Sequence, residues 1–335
     1  MSFQGRLARW LEDLWYGNRP VPWGLKVCAF VFGVLIQYRR WFYTLFPSQD
    51  LAIPVIVVGN LTVGGTGKTP LAIWLARFLN AQGIKPGVIC RGHGGDEKNP
   101  IVVTTTSDPS LVGDEAVLLA RRCGCPVVAG RKRRQAAQWL VNHYPCQVIL
   151  SDDGLQHYAL PREIEIIVID GVRRFGNGRL LPAGPLREPP GRLKEADLIV
   201  SNGRGQPGEW AMGLKGRKAV NLCHPSRVFS LEAFQGRPVH AVAGIGHPQR
   251  FFQDLQSSGL EVIPHVFPDH HRYNDKDICF SDGLPVLMTE KDAVKCFAFA
   301  RENHWYVPVE TEIDEKFGIR ILQLLRKGLD GQKTA

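Results

Sequence analysis

Residues 59–69 read Gly-Asn-Leu-Thr-Val-Gly-Gly-Thr-Gly-Lys-Thr, and these residue types at this spacing suit a polyphosphate. Thr62, Val63, Gly64, Gly65, Thr66 and Gly67 supply a loop flexible enough for backbone N–H groups to converge on phosphate oxygens. Lys68 would reach the β/γ-phosphates, and the hydroxyl of Thr69 would ligate Mg²⁺. The flanks agree. A β-branched apolar run over 53–58 reads as a buried strand, and 71–79 carries a helical pattern, giving the strand–loop–helix context a phosphate loop requires. A nucleoside triphosphate is the expected ligand. The loop departs from G-x-x-x-x-G-K-[ST] in having Thr62 in place of the first glycine. It is also similar to the loop of partition-type ATPases, without the extra lysine, since that position is Val63.

Other groups could act beside this loop. The strand pattern over 147–153 ends in Asp152 and Asp153, the character of a strand end that holds Mg²⁺ directly or through water. Asp114 and Glu115 open a helical pattern after Gly113. Arg131 belongs to a basic run (130–134) at a helix start, read either as a solvated surface or as a phosphate contact, because cations are disfavoured there. Arg91 begins a glycine cluster over 91–95, a tight loop at a strand's carboxyl end where α/β sheets place ligands. Arg187 and Glu188 lie in a Gly/Pro/Arg-rich stretch, 176–192, expected to be a long loop over the site. Asp269, His270 and His271, with His265, form the densest histidine cluster. Their spacing matches no zinc pattern, which leaves surface packing, phosphate contact or orientation of a base.

The elements positioning these groups alternate short apolar runs with helical patterns from Leu51 onward. This predicts an α/β fold: a phosphate-loop-containing, mostly parallel sheet flanked by helices, followed by a smaller C-terminal α/β domain. The expected division is a helical segment over 1–50, a phosphate-loop core over 51–202, a glycine-rich linker over 203–216 and the second domain over 217–335, with 196–201 as the core's last strand. The 335 residues are long enough for two cores. Forty-one Lys+Arg against 32 Asp+Glu give a net charge of +9, favouring anionic partners such as nucleotide, nucleic acid or phospholipid. No recognition motif supports nucleic acid. The eight scattered cysteines contain no C-x-x-C pair and read as reduced thiols.

Residues 1–50 stand apart. Trp10, Trp15, Tyr16, Trp23, Trp41, Phe42 and Tyr43 bracket the apolar run 27–38, with Lys26 before it and Arg39 and Arg40 after it. As a helix this run reaches about 18 Å, short of a hydrocarbon core of about 30 Å. A tilted span over 23–46 is conceivable with snorkelling cations. A signal peptide fits poorly, since no small-residue cleavage site follows. A buried core helix competes with a membrane-embedded or interfacial anchor, and the aromatic and basic flanks favour the anchor.

Taken together, these stretches resemble the tetraacyldisaccharide 4′-kinase family of lipid A biosynthesis. The resemblance rests on 58–70, 91–95, 112–116, 152–157, 182–189, 244–252, 267–271 and 288–292, in consistent order over nearly the whole chain. Thr62 is normal for that family, while His93 stands where many members carry tyrosine. The resemblance implies ATP- and Mg²⁺-dependent phosphorylation of the 4′-hydroxyl of a tetraacylated disaccharide 1-phosphate, giving lipid IVA at the cytoplasmic face of the bacterial inner membrane. It implies Lys68 and Thr69 as phosphate and Mg²⁺ contacts, Asp152 and Asp153 as strand-end carboxylates, and Asp114 as the base with His270, rather than His271, as its partner. Arg39 and Arg40 would suit the substrate's 1-phosphate. The rival reading is a phosphate-loop regulatory or transport-coupled ATPase at the membrane. Guanine selectivity is not expected, because Thr289-Glu-Lys-Asp292 has its lysine one place late and no D-x-x-G switch follows Asp152.

Overall fold

The computed structural model describes the backbone of residues 3–92 and 99–332 and the side chains of residues 10–92 and 99–327. Residues 93–95 of the expected glycine turn, including His93, lie outside the described residues.

The first sheet is built from β1 (Val55–Gly59), β2 (Pro86–Cys90), β3 (Ile101–Val103), β4 (Val127–Ala129), β5 (Val148–Asp152), β6 (Ile164–Asp170), β7 (Leu198–Asn202) and β8 (Trp210–Lys215). The second contains β9 (Lys218–Asn221), β10 (Val228–Ser230), β11 (Pro238–Ala243), β12 (Glu261–Val266), β13 (Val286–Thr289) and β14 (His304–Val307). The chain then returns through β15 (Glu310–Ile313) to the first sheet, whose nine strands run β15-β8-β7-β6-β1-β5-β2-β4-β3. The six strands of the second run β10-β9-β14-β13-β11-β12. In the first sheet only the edge pairs β3·β4 and β15·β8 are antiparallel.

The helices are α1 (Phe3–Tyr16), α2 (Trp23–Leu45), α3 (Lys68–Ala81), α4 (Pro109–Val112), α5 (Asp114–Arg122), α6 (Arg133–His143), α7 (Pro248–Ser257), α8 (Asp275–Ile278), α9 (Glu290–Ala293) and α10 (Glu315–Gln332). Successive residues of a strand face opposite sides of the sheet, and β1 shows why its sequence is apolar throughout. Ile56 and Val58 pack with Leu71, Leu75 and Leu79 of α3 and with Phe317 and Ile321 of α10. Val55 and Val57 pack with Ala136, Ala137 and Leu140 of α6. Both faces are covered, so the strand is an apolar run rather than an alternation. Because β1 lies between β5 and β6, its carboxyl end opens at a point where connections diverge, the position for a ligand crevice.

Several expectations are corrected. The stretch 203–216 is more than a linker, because it contains β8, paired in parallel with β7. Strand β7 is therefore not the core's last strand. The second domain also ends early, since β15 and α10 rejoin the first sheet and Phe317 buries against Trp74, with ring centroids 5.7 Å apart. Finally, no described helix is long and apolar enough to cross a membrane. Helix α2 nonetheless leaves Trp23, Phe30, Leu35, Tyr38 and Trp41 exposed, Phe30 at 72%. Only Ala29 is buried in it, so the core-helix alternative fails as well.

Candidate active site

The glycine-rich loop leaves β1 and closes into the N-terminus of α3. Gly64 at φ 103° and Gly67 at φ 97° occupy left-handed backbone, which non-glycine residues adopt at a cost. A Cβ on Gly67 would lie 2.9 Å from Asn202 Nδ2. Asn202 donates to the carbonyl of Thr66 at 3.1 Å and accepts from Arg250 at 3.0 Å, so the end of β7 and helix α7 both brace the loop. Its entry is pinned from the other side: Val63 N–H donates to Pro185 O at 2.9 Å, and Arg187 N–H to Leu61 O at 2.6 Å. The 176–192 stretch is thus an ordered strap over the loop's start.

Thr69 Oγ1 donates to Asp152 Oδ2 at 2.9 Å, while Asp152 Oδ1 is buried without a hydrogen-bond partner. The Asn60 side-chain amide, the Thr66 hydroxyl and the Ser151 hydroxyl are likewise buried and unpartnered. Such a group of orphaned polar atoms is costly unless a ligand completes it. A hydroxyl and a carboxylate are hard oxygen donors of the kind Mg²⁺ takes, so Thr69 and Asp152 fit that ion. Burial, reinforced by Glu115, pushes the Asp152 carboxyl up to about 7 against the pull of Lys68. Asp153 behaves oppositely. Burial raises it, but Lys68 at 3.6 Å and Arg187 at 3.1 Å outweigh burial and hold it below the usual range. Asp153 sits at φ 50°, an uncommon backbone for a non-glycine residue and one found at functional sites.

Asp114 opens α5, with Gly113 at φ 94° turning the chain into the helix. Its Oδ1 accepts the N–H of Glu115 at 2.9 Å. Its Oδ2 lies 3.2 Å from His270 Nδ1, contributed by the second domain. Burial would raise the Asp114 carboxyl, yet the His270 hydrogen bond, Lys291 and Lys295 together hold it well below the ordinary range. That hydrogen bond correspondingly raises His270. His270 takes φ 59°, turning its ring to Asp114, while adjacent His271 points elsewhere, 3.1 Å from Asp277 Oδ2. No group of three or more possible metal ligands occurs among the described residues, and His265 bonds His240 at 2.9 Å.

A cavity of 370 Å³ adjoins Asp153. Helix α2 contributes Phe32, Ile36 and Arg39, and the core contributes Arg91, Gln156, His157, Tyr158, Leu181 and Arg187. Burial, with Arg133 and Arg39 nearby, pushes His157 down to about 4, so the imidazole is neutral in this basic pocket. Of the expected substrate contacts, Arg91 and Arg187 line the cavity. Arg131 is exposed at the start of α6, and it is Arg133 of that run that is buried, donating to Gly130 O. Glu188 is also buried and accepts from Gln156 at 2.9 Å, which sets it behind the cavity rather than in it. Sequence reasoning missed Asn202 and Arg250. Their one signal was placement, Asn202 at a strand's carboxyl end and Arg250 after a glycine turn.

A parallel sheet with a glycine loop between β1 and α3, a strand-end aspartate pair and a carboxylate–imidazole pair define the class: a phosphate-loop phosphotransferase. The chain matches the family of tetraacyldisaccharide-1-P 4′-kinases over residues 21–326, and it belongs to that family. It is 52% identical over 316 residues to the tetraacyldisaccharide 4′-kinase of Nitrosococcus oceani, covering 93% of each chain. To that of Methylobacillus flagellatus it is 51% identical over 325 residues, covering 96% of this chain and 97% of the other. Among solved structures it resembles the "apo" form of LpxK from Aquifex aeolicus in complex with ATP, with a TM-score of 0.76 and 27% identity, covering 89% of this chain and 97% of that one.

Proposed function

We infer that the chain is a tetraacyldisaccharide 4′-kinase, transferring the γ-phosphoryl group of ATP to the 4′-hydroxyl of tetraacyldisaccharide 1-phosphate and giving lipid IVA. The observation that carries this reading is the approach of Asp114 and His270, from different domains, to 3.2 Å beside a phosphate cradle. Glu115, the neighbour of Asp114, lies close enough to Asp152 to raise it.

In this reading the hydroxyl oxygen attacks the γ-phosphorus, its proton passes to the Asp114–His270 pair, and ADP leaves with the electrons of the broken phosphoanhydride bond. Lys68 and the loop amides hold the polyphosphate. Thr69 and Asp152 would hold Mg²⁺, which would supply charge neutralisation to the polyphosphate. Lys68 and Arg187 keep Asp153 ionised beside them. The cavity between α2 and the core receives the acceptor, its apolar wall of Phe32, Ile36 and Leu181 suiting acyl chains and Arg39, Arg91 and Arg187 suiting a phosphate. Arg40, by contrast, is engaged by Glu195 at 2.6 Å.

The exposed aromatic and aliphatic face of α2 supports an interfacial seat on the cytoplasmic face of the inner membrane, where an acylated disaccharide resides. Labelled ATP offered with and without the acylated disaccharide 1-phosphate tests the activity, with lipids separated by thin-layer chromatography. Label in a lipid product is expected; label released only as inorganic phosphate, unchanged by the lipid, would favour an ATPase instead.

A further inference from the structure

Asp114 Oδ2 faces a second cation besides His270. Lys295 Nζ lies 3.7 Å from it and 2.9 Å from Asp292 Oδ1, and its side chain is only 10% exposed. The ammonium is held firmly. Asp292 is wholly buried and is itself fixed by the N–H of Gly244 at 2.9 Å and the hydroxyl of Thr289 at 2.6 Å. The ring of Tyr273 lies 5.0 Å from the ammonium, within cation–π range.

The charges around Asp114 come from three places. On its own helix is Glu115, bonded by Lys291 at 3.0 Å. From the loop after β12 come His270 and Asp269, the latter 3.2 Å from Lys291 and 3.8 Å from His270 Nε2. From α9 and the turn after it come Lys291, Asp292 and Lys295, while Glu290 is taken by Arg122 at 2.5 Å. Lys291 is thus shared between Glu115 and Asp269. Lys295 is the lysine within ion-pair distance of the reacting carboxylate among the described residues.

We propose that Lys295 is a positioning residue for phosphoryl transfer: anchored on Asp292, it reaches across the domain interface and holds Asp114 as a carboxylate aimed at His270. This rests on the Asp114–His270 pair being the proton acceptor. A neighbouring cation lowers the proton affinity of a carboxylate, and two coupled groups titrate as a pair. Lys295 therefore keeps the pair able to accept the hydroxyl proton at lower pH than it otherwise could.

The test is the pH profile of kcat/KM for acylated disaccharide 1-phosphate at saturating ATP and Mg²⁺. In Lys295→Met the acid limb should move up by about one pH unit, with KM for ATP changed less than about twofold. Lys295→Arg should return the limb to its original position. Because Lys295→Met strands the buried Asp292, the paired variant Lys295→Met/Asp292→Asn is measured beside it and should show the same upward movement. A lowered kcat with the limb unmoved in both methionine variants would overturn the proposal and leave a structural ion pair. Asp114→Asn separates this from the reading beneath it. Retained turnover there removes Asp114 as the base, whereas lost turnover with unmoved limbs overturns the role of Lys295 alone.

Discussion

The two halves of the site are built differently. The phosphate cradle is local: Gly64 to Thr69 run straight from β1 into α3, and Asp152 ends the neighbouring strand β5 with Asp153 directly after it. The carboxylate–imidazole side, proposed above to accept the proton, is assembled from afar. Asp114 and His270 are 156 positions apart in sequence, and they meet because two sheets dock. A contiguous loop carries its geometry in its own glycines and helix start, whereas the Asp114–His270 pair depends on every contact that holds the second domain in place.

Breaking the cradle should have the largest effect. If Lys68 contacts the transferring group as proposed, Lys68→Ala should lower turnover about 10³-fold, read in the labelled-lipid assay. Disturbing the Asp114–His270 side should be milder and of another kind. Asp114→Asn should lower kcat about 10²-fold while ATP affinity, measured by calorimetry, stays within about twofold. A matching loss of ATP affinity would erase the distinction between the halves. The exposed face of α2 sharpens the comparison on the lipid's side. Phe30→Ser removes one large apolar side chain from the proposed interfacial contact, a burial worth about 1.5–3 kcal/mol, so vesicle affinity in co-sedimentation should drop about tenfold. Turnover of a detergent-solubilised acceptor should change much less.

The smallest effect concerns pH. His270 is raised above its unfolded value by Asp114, so its contribution to stability is fully present below an unfolded pKa of about 6.5 and is lost as pH rises through the higher folded value. Asp114 is lowered, so its contribution is present above an unfolded pKa of about 4 and is lost as pH falls through the lower folded value. The pair should therefore stabilise most between those unfolded values. His270 is half exposed, so the difference between wild type and His270→Ala in urea unfolding should stay below about 1 kcal/mol there and shrink toward pH 8.

What could be read from the chain follows the same division. The strand before the loop, the helix after it and the aspartates of β5 lie in short windows with strong apolar patterning. The partnership of Asp114 with His270 rather than His271 came from resemblance, because adjacent histidines are chemically alike. What separates them is the left-handed backbone at His270, which no residue type there announces. Strand β15 escaped notice because Glu310–Ile313 alternates exposed and half-buried residues and gains its place only by pairing with β8. Lys295 stayed hidden for a similar reason: its spacing from Asp292 suggests a local helix pair, and nothing nearby points to a carboxylate on another domain. The apolar run in α2 was legible, but its exposure was not, since a run apolar all round does not say what covers it.

One feature of the chain path sets how the halves can part. Connections run through Gly216 and through 308–309, and these lie side by side: β8 pairs with β15 just before them, β9 with β14 just after, and a Cβ on Gly216 would sit 2.4 Å from Val307. The second domain therefore hangs on a single narrow ribbon, like a door on one strip of leather. Any swing must pivot there, and it would carry His270 and Lys295 with it, away from Asp114 on the first sheet's side.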